Sequence, residues 1–220
     1  FLFIKINMTS SYPTYAVSTE LDAVNQILSS VGQAPVTTLD QQNPEVAIAL
    51  NTLREANKQV QAEGWTFNTE HHYEMTGDAN TFEIAYPTNA LQIDTTRSQH
   101  FDDYDTVRRG GKLYDRHKHT FLWKNDDGTA KTIQVDVIWY FDFTEVPIAV
   151  QQYITARACV MSALKMVGDS ELVQLLQQQE INTRAAALEY ETSQGDYSMF
   201  GFKDGENYHN SYQPYAALQR

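Results

Sequence analysis

The chain has 220 residues, of which 42% are apolar and 20% charged, so it can bury a core and is not disordered as a whole. Its 16 basic and 28 acidic residues give a net charge of −12, which argues against tight, sequence-independent binding to DNA phosphates. The single cysteine, Cys159, excludes an intrachain disulfide, and no apolar run approaches the ~20 residues that span a bilayer.

A first helix is predicted after an N-terminal extension (residues 1–17) in which Met8 is the expected natural start. Thr19 and Asp22 can form a capping pair at the start of this helix, and Gly32 can end it. Apolar residues recur between these signals with a period near 3.6, and they are Leu21, Val24, Ile27, Leu28 and Val31.

A second helix is predicted to begin with Asn43 as its N-cap and Pro44 as its first position, and to end at Gly64. Its inward residues are expected to be Val46, Leu50, Leu53 and Val60. Residues 18–65 are therefore predicted to form the first half of a helical bundle.

Residues 66–145 are predicted to form an inserted, small antiparallel β domain, because aromatic and β-branched residues dominate there. The predicted strands are 66–75, 82–86, 120–124 and 132–141. In the last of these, Ile133, Val135 and Val137 alternate with polar residues, as in a half-buried strand. Residues 125–128 (Asn-Asp-Asp-Gly) predict a hairpin turn.

Two more helices are predicted over 147–167 and 169–191, within a second bundle half of residues 146–192. The first is apolar nearly all round and is expected to be central and buried. The apolar stripe of the second drifts around the helix, which predicts contacts with two neighbours in succession, in this subunit or in another. That stripe comprises Leu172, Leu175, Leu176, Ile181, Ala185 and Leu188.

The last segment, residues 193–220, has neither a helical nor a strand period. It contains six aromatic residues, which are Tyr197, Phe200, Phe202, Tyr208, Tyr212 and Tyr215. Because each aromatic side chain can bury a large surface in a partner's groove, we expect a docking arm; the alternative is a disordered terminus. The whole pattern predicts an α+β fold: a four-helix bundle with an inserted β domain and an extended C-terminal arm.

Few residues in the chain carry a pattern typical of catalysis or of metal binding. Asp115, His117 and His119 could face one side of a strand and converge on a metal, but they lack zinc-site spacing, and a polar strand edge is favoured. The acidic run Asp102, Asp103 and Asp105 lacks the rest of a calcium-binding loop. The sequence predicts no catalytic residue, metal or cofactor.

One basic turn could contact a partner. Arg108, Arg109 and Lys112 flank two glycines, and the arginines can bind carboxylates or phosphates bidentately. The same residues also suit an ordinary hairpin loop, so the sequence leaves partner contact and plain turn open.

Several segments together resemble one family. Residues 20–39 (ELDAVNQILSSVGQAPVTTL) are similar to the opening of the tail tubular protein A family, the head-to-tail adaptors of short-tailed bacteriophages. Residues 64–68 (GWTFN) and 109–116 (RGGKLYDR) resemble the same family, as do residues 145–147 and short stretches near the C-terminus.

The resemblance implies a non-enzymatic ring of twelve subunits in the virion, assembled in the host bacterial cytoplasm. Its implied partners are the capsid portal above, a nozzle of tail tubular protein B below, and tail fibres near the junction. DNA would pass through the ring without specific binding, and no membrane is implied.

In such a ring the docking arm is expected to contact the portal or a neighbouring subunit. Arg108, Arg109 and Lys112 are expected at a subunit or nozzle interface. The rival hypothesis is a tail-associated polysaccharide or peptidoglycan hydrolase that uses acids of the 102–105 segment and His117.

Overall fold

The computed structural model describes residues 19–95 and 104–195 and shows a mixed α+β fold. The described elements are α1 (Glu20–Ser30), α2 (Pro44–Gln61), β1 (Thr69–Thr76), β2 (Ala90–Thr95), β3 (Thr106–Arg109), β4 (Lys112–Asp115), β5 (Thr132–Trp139), a 3₁₀ helix (Phe143–Glu145), α3 (Ile148–Met166) and α4 (Ser170–Gln194). None of the helices in these two ranges is long and apolar enough to cross a bilayer. The predicted extension (residues 1–17) lies outside the described residues.

The start of α1 is fixed by the predicted capping pair. The Thr19 hydroxyl accepts a hydrogen bond from the backbone N–H of Asp22, and the Asp22 carboxylate accepts one from the backbone N–H of Thr19. Hydrogen bonds from the Thr19 side chain and then its backbone lower the pKa of Asp22. The helix ends just before Gly32, whose φ of 79° lies in the left-handed region.

The second helix begins as predicted, with the Asn43 side chain accepting from the backbone N–H of Glu45. It ends at Gln61, three residues before the predicted end at Gly64. The four inward residues predicted for this helix are all buried. Gly64 follows one turn later with φ of 78°, so it marks the bend that redirects the chain rather than the helix end itself.

Helix α3 is central, as predicted, because it packs against α1, α2 and α4. Tyr153 and Ile154 are fully buried in it, whereas Leu164 and Val167 near its end are exposed. The helical core also takes in Trp65 from the segment after α2. Its fully buried members include Val24, Ile27, Ala49, Ala56, Val60, Val150, Tyr153, Ile154, Ala158 and Ala163.

The strands form two small antiparallel sheets. A three-stranded sheet has the order β1-β5-β2, and β3 pairs with β4 in a two-stranded ribbon. In β5 the predicted alternation is confirmed, because Ile133, Val135 and Val137 are all buried. A second core, separate from the helical one, contains these residues and Met75, Ile84, Ala90, Ile93, Tyr104, Leu113 and Trp123.

Two of the four predicted strands are wrong, and three observed strands were not predicted. Segments 82–86 and 120–124 make only isolated bridges, such as Ala85 with Lys112 and Thr120 with Asp115. Phe82 has φ of 55°, which interrupts an extended strand. The unpredicted strands are β2, β3 and β4.

The chain passes from the helices to the sheets over residues 62–68, the first crossing, and returns over residues 140–147, the second crossing. The buried side-chain amides of Gln61 and Asn68 form hydrogen bonds that join these two crossings. The Gln61 side chain donates to the carbonyl of Phe141 at 2.8 Å and accepts from its backbone N–H at 2.8 Å. The Asn68 side chain donates to the carbonyls of Gln61 and Trp139, both at 2.9 Å, and accepts from the backbone N–H of Trp65. Because these backbone groups are buried or half-buried beside the core, the amides fix where the sheets attach.

Candidate interaction surfaces

The predicted basic turn is the hairpin that joins β3 to β4. The Arg108 guanidinium lies 4.6 Å from the ring centre of Tyr86, and the Arg109 guanidinium lies 4.1 Å from that of Tyr114. Both arginines are exposed, and neither makes an ion pair within the described part of the chain. Stacking on a ring orients a guanidinium while leaving its N–H edge available, so both can still bind an anion.

The third predicted residue of this turn, Lys112, has a partner in its own chain. Its ammonium group pairs with the Glu83 carboxylate at 2.5 Å. Whether Lys112 and the two arginines contact another protein stays a prediction.

A second basic loop follows β4. The predicted strand that would align Asp115, His117 and His119 is wrong: β4 ends at Asp115, and His119 has φ of 53°. Asp115 is buried, and its carboxylate accepts from the backbone N–H groups of His117 and Lys118, which closes a tight turn. Among the described residues no group of three potential ligands could hold a metal ion.

The turn instead displays consecutive basic side chains from Arg116 to His119. Arg116 pairs with Asp105 at 3.1 Å. Together with Arg109, Tyr114, His117 and His119, these two residues line an open depression of about 300 Å³. The run Arg-His-Lys-His was visible in the sequence as a basic cluster, but its closure into a turn depends on the buried Asp115.

Charge is strongly segregated within residues 66–145, which hold 14 acidic and 8 basic residues. Seven of those basic residues and only three of the acidic ones fall between positions 108 and 131. The ribbon and its adjoining turns are therefore basic, although the chain as a whole carries −12. Such a patch attracts anionic groups from a partner.

The three-stranded sheet carries the opposite charge on its outward face. Asp94 on β2 lies directly across from Asp136 on β5, and Glu74 on β1 lies across from Gln134. The Asp136 carboxylate is 3.4 Å from His71, and hydrogen bonding to Asp136 raises the pKa of that imidazole. Like charges directly opposite one another destabilise a sheet, and the His71 imidazole beside Asp136 offsets part of that repulsion when it is protonated. Sequence reasoning missed it because the pairing depends on strand register.

Helix α4 exposes an uncharged stripe along its outer face. Gln174, Gln178, Ile181, Ala185, Leu188 and Thr192 follow one another at alternating spacings of four and three residues. Ile181 is 61% exposed and Leu188 46% exposed, while the helix buries Val173, Leu176 and Ala187 on its other side. Of the apolar residues predicted for this helix, Leu176 is therefore buried, whereas Leu175, Ile181 and Leu188 are exposed. A spacing of four and three residues is the pattern by which one helix packs against another.

The remaining predicted site residues lie outside the described residues. These are the six aromatic residues of the arm, Tyr197, Phe200, Phe202, Tyr208, Tyr212 and Tyr215, together with Asp102 and Asp103 of the hydrolase hypothesis. Asp105 pairs with Arg116, as noted above. Hydrogen bonds lower the pKa values of Asp22, Asp78 and Asp127, whereas a general acid needs a raised one.

Comparison with known proteins agrees with the family resemblance. The family model for tail tubular proteins matches residues 21–197, which span both helical segments and both sheets. Tail tubular protein A of Klebsiella phage KP34 is 26% identical over 165 residues, covering 73% of this chain and 81% of that protein. A phage tail protein is part of the virion. The chain therefore belongs to the tail tubular protein family, whose members are structural proteins of bacteriophage tails.

Proposed function

We propose that this chain is a non-enzymatic adaptor that forms a ring, with twelve copies as the expected number. The ring connects the capsid portal to the tail nozzle, built from tail tubular protein B, and lies close to the tail fibres. It assembles in the host bacterial cytoplasm and lines the channel through which the genome is ejected. Family membership supports the tail role, and the exposed surfaces described above support association with other subunits.

The observation that carries this proposal is the uncharged stripe of α4. Ile181 and Leu188 are exposed on one line of a 25-residue helix, nothing in the described chain covers them, and a partner helix that packed there would bury their apolar surface. Each chain carries −12, so two copies attract each other only where charge is absent or complementary. The stripe meets the first condition, because none of its six residues is charged.

The net charge also suits a DNA channel. Phosphates repel an acidic wall, so a ring of such chains lets DNA slide without adhering to it. In this proposal the four helices form a bundle of residues 18–65 and 146–192, with residues 66–145 as the inserted domain. The arm of residues 193–220 contacts the portal or the next subunit.

The stripe can be tested by replacing Ile181 and Leu188 together with arginine and measuring particle mass by mass photometry, with and without the phage's own portal protein. We expect the variant to stay monomeric under conditions in which the wild-type chain forms rings, because two buried charges oppose the helix contact. Leu175→Arg is the matched control. Leu175 is 71% exposed on the same helix but is not one of the six residues of the uncharged stripe, so the Leu175→Arg variant should form rings normally.

A wild-type chain that forms no ring with the portal present would contradict the proposed adaptor. Rings of unchanged mass in the double variant would leave the adaptor standing but remove α4 from the subunit interface.

A further inference from the structure

We infer that a groove beside the first helix binds residues 11–18 of the same chain. The groove has a volume of about 660 Å³ and lies between the start of α1, the middle of α2 and the second crossing. We name it the α1–α2 groove. This inference concerns a single copy and does not depend on the proposed ring.

The α1–α2 groove has an apolar floor. Leu53 and Phe143 form its buried part, and Leu21 and Leu39 are half-buried beside them. Because the last two side chains still reach solvent, an apolar side chain that packed against them would bury surface on both sides of the contact. The floor therefore favours an occupant with apolar side chains.

The rim of the groove carries charges of both signs. Arg54, Glu20 and Asp142 line it, and none of the three makes an ion pair within residues 19–95 and 104–195. Asp142 occupies the N-cap position of the 3₁₀ helix, yet its side chain makes no capping hydrogen bond there. A guanidinium donates hydrogen bonds and a carboxylate accepts them, so together they can bond the carbonyl and N–H groups of a peptide. Such a rim favours a neutral peptide over a ligand of one charge.

Residues 11–18 (SYPTYAVS) have the composition that this groove fits. They contain no charged residue, and Pro13 favours an extended backbone at the residue before it. In an extended chain alternate side chains share one face, which places Pro13, Tyr15 and Val17 together. Tyr15 brings a large ring for the floor and a hydroxyl that the charged groups of the rim can bond.

The chain leads from the groove directly into this segment. Thr19 lines the groove itself, and its backbone is extended, with φ of −80° and ψ of 160°. Tyr15 is four residues away, so at ~3.3 Å per residue it stays within ~13 Å of Thr19. A segment on so short a tether has an effective concentration of about millimolar or more at the groove. The segment of the same chain therefore outcompetes that of another copy in dilute solution.

Cross-linking tests the contact in the full-length chain at low protein concentration. Ala16→Cys keeps the three side chains proposed to face the groove, and it is combined with Thr144→Cys on the rim. With a short bismaleimide, we expect intrachain linkage at a yield at least about tenfold above that of the control pair, Ala16→Cys with Glu55→Cys. Glu55 is exposed on α2 but faces Lys165 of α3 instead of the groove. The native Cys159 is buried, and burial raises the pKa of its thiol, so it should not react.

The labelling rate of a single cysteine gives a second measurement. In Thr144→Cys alone, a maleimide dye should react at least about tenfold faster once Tyr12, Tyr15 and Val17 are replaced with serine, because the groove is then uncovered. The same replacements should leave the labelling rate of Glu55→Cys unchanged. Circular dichroism checks that every variant is folded.

Equal linkage in the two cysteine pairs, or a labelling rate at Thr144→Cys that the serine replacements do not change, would overturn the contact. Linkage mainly between copies would also overturn it, because the groove then holds the segment of a second chain. Neither result affects the proposed ring, since the test of the ring measures particle mass.

Discussion

At the scale of single residues, Gln61 illustrates how one side chain joins two parts of the molecule. It is fully buried, and it satisfies both the N–H and the carbonyl of Phe141 where the chain returns from the sheets. A buried backbone group that loses its partner keeps the cost of leaving water. The stability of this junction therefore depends on the amide more than on the size of the side chain.

We predict that Gln61→Leu lowers the free energy of unfolding by about 2 kcal/mol, because the half-buried N–H of Phe141 loses its acceptor and the Phe141 carbonyl keeps only a 3.4 Å contact with the Asn57 amide. Chemical denaturation monitored by circular dichroism measures the loss. The control Gln59→Leu, an exposed glutamine on the same helix, should change stability by less than about 0.5 kcal/mol. Equal effects of the two substitutions would show that the buried amide is not needed.

At the scale of secondary-structure elements, the end of α4 is tied to the first crossing. The Glu191 carboxylate accepts hydrogen bonds from the backbone N–H of Thr66 at 2.8 Å and from its hydroxyl at 2.5 Å. Bonds to a charged acceptor contribute more than neutral ones, so this contact holds the last turns of a long helix that is otherwise mostly exposed.

We predict that Glu191→Ala leaves the fold intact but speeds amide hydrogen exchange in the last two turns of α4 roughly tenfold, because local opening becomes easier. Exchange measured by mass spectrometry on peptides covering 184–195 reports the change. Glu189→Ala removes an exposed carboxylate two positions away on the other side of the helix, and its exchange should match the wild type. A faster rate in both variants would point to loss of helix charge instead of loss of the tether.

The elements that could be predicted from sequence are those with local signals. Helix α1 carries its own capping pair and α2 its own N-cap and proline, and both begin where those residues indicate. Strand β2 has no such signal, since Ala, Gln and Asp are weak strand formers; it forms because Ile93 is buried and the segment pairs with central β5. Segment 120–124 has strong strand formers, yet Trp123 is buried in the second core without a continuous strand partner.

The same distinction holds for the candidate surfaces. The basic turn at Arg108 and Arg109 could be predicted, because adjacent arginines beside glycines are a local pattern. Their stacking on Tyr86 and Tyr114 and the opposition of Asp94 and Asp136 could not, since both depend on which strands become neighbours. Contacts that depend on which strands pair are therefore the part of these surfaces that could not be predicted from the sequence.

At the scale of the whole molecule, the predicted arm is the segment that we propose to contact partner proteins. Gly195, the last described residue, follows the end of α4, close in sequence to the Glu191 contact with the first crossing. From there, 25 residues at ~3.3 Å each can reach up to ~80 Å, which is enough to cross a neighbouring subunit. Their aromatic residues suit burial in a partner's groove.

We predict that deleting residues 196–220 leaves the helical circular dichroism signal and the melting temperature unchanged but abolishes binding to the portal protein. The reason is that the described core ends before this segment, whereas the aromatic residues proposed to contact the portal lie within it. Surface plasmon resonance against immobilised portal measures the binding. Replacing the six aromatic residues with serine at full length is the companion variant, and undiminished binding by both chains would show the arm to be passive.

The paired crossings have a mechanical consequence. Because the chain enters and leaves the sheets beside the same end of α2, a force applied to the sheets pulls on both crossings together. The amides of Gln61 and Asn68 bear that load in parallel, and separating the sheets from the helices requires several buried hydrogen bonds to break at nearly the same time. Resistance to pulling is set by the rate of unfolding, and parallel loading slows that rate more than sequential peeling does. The junction between the sheets and the helices is therefore expected to resist pulling more strongly than either crossing would alone.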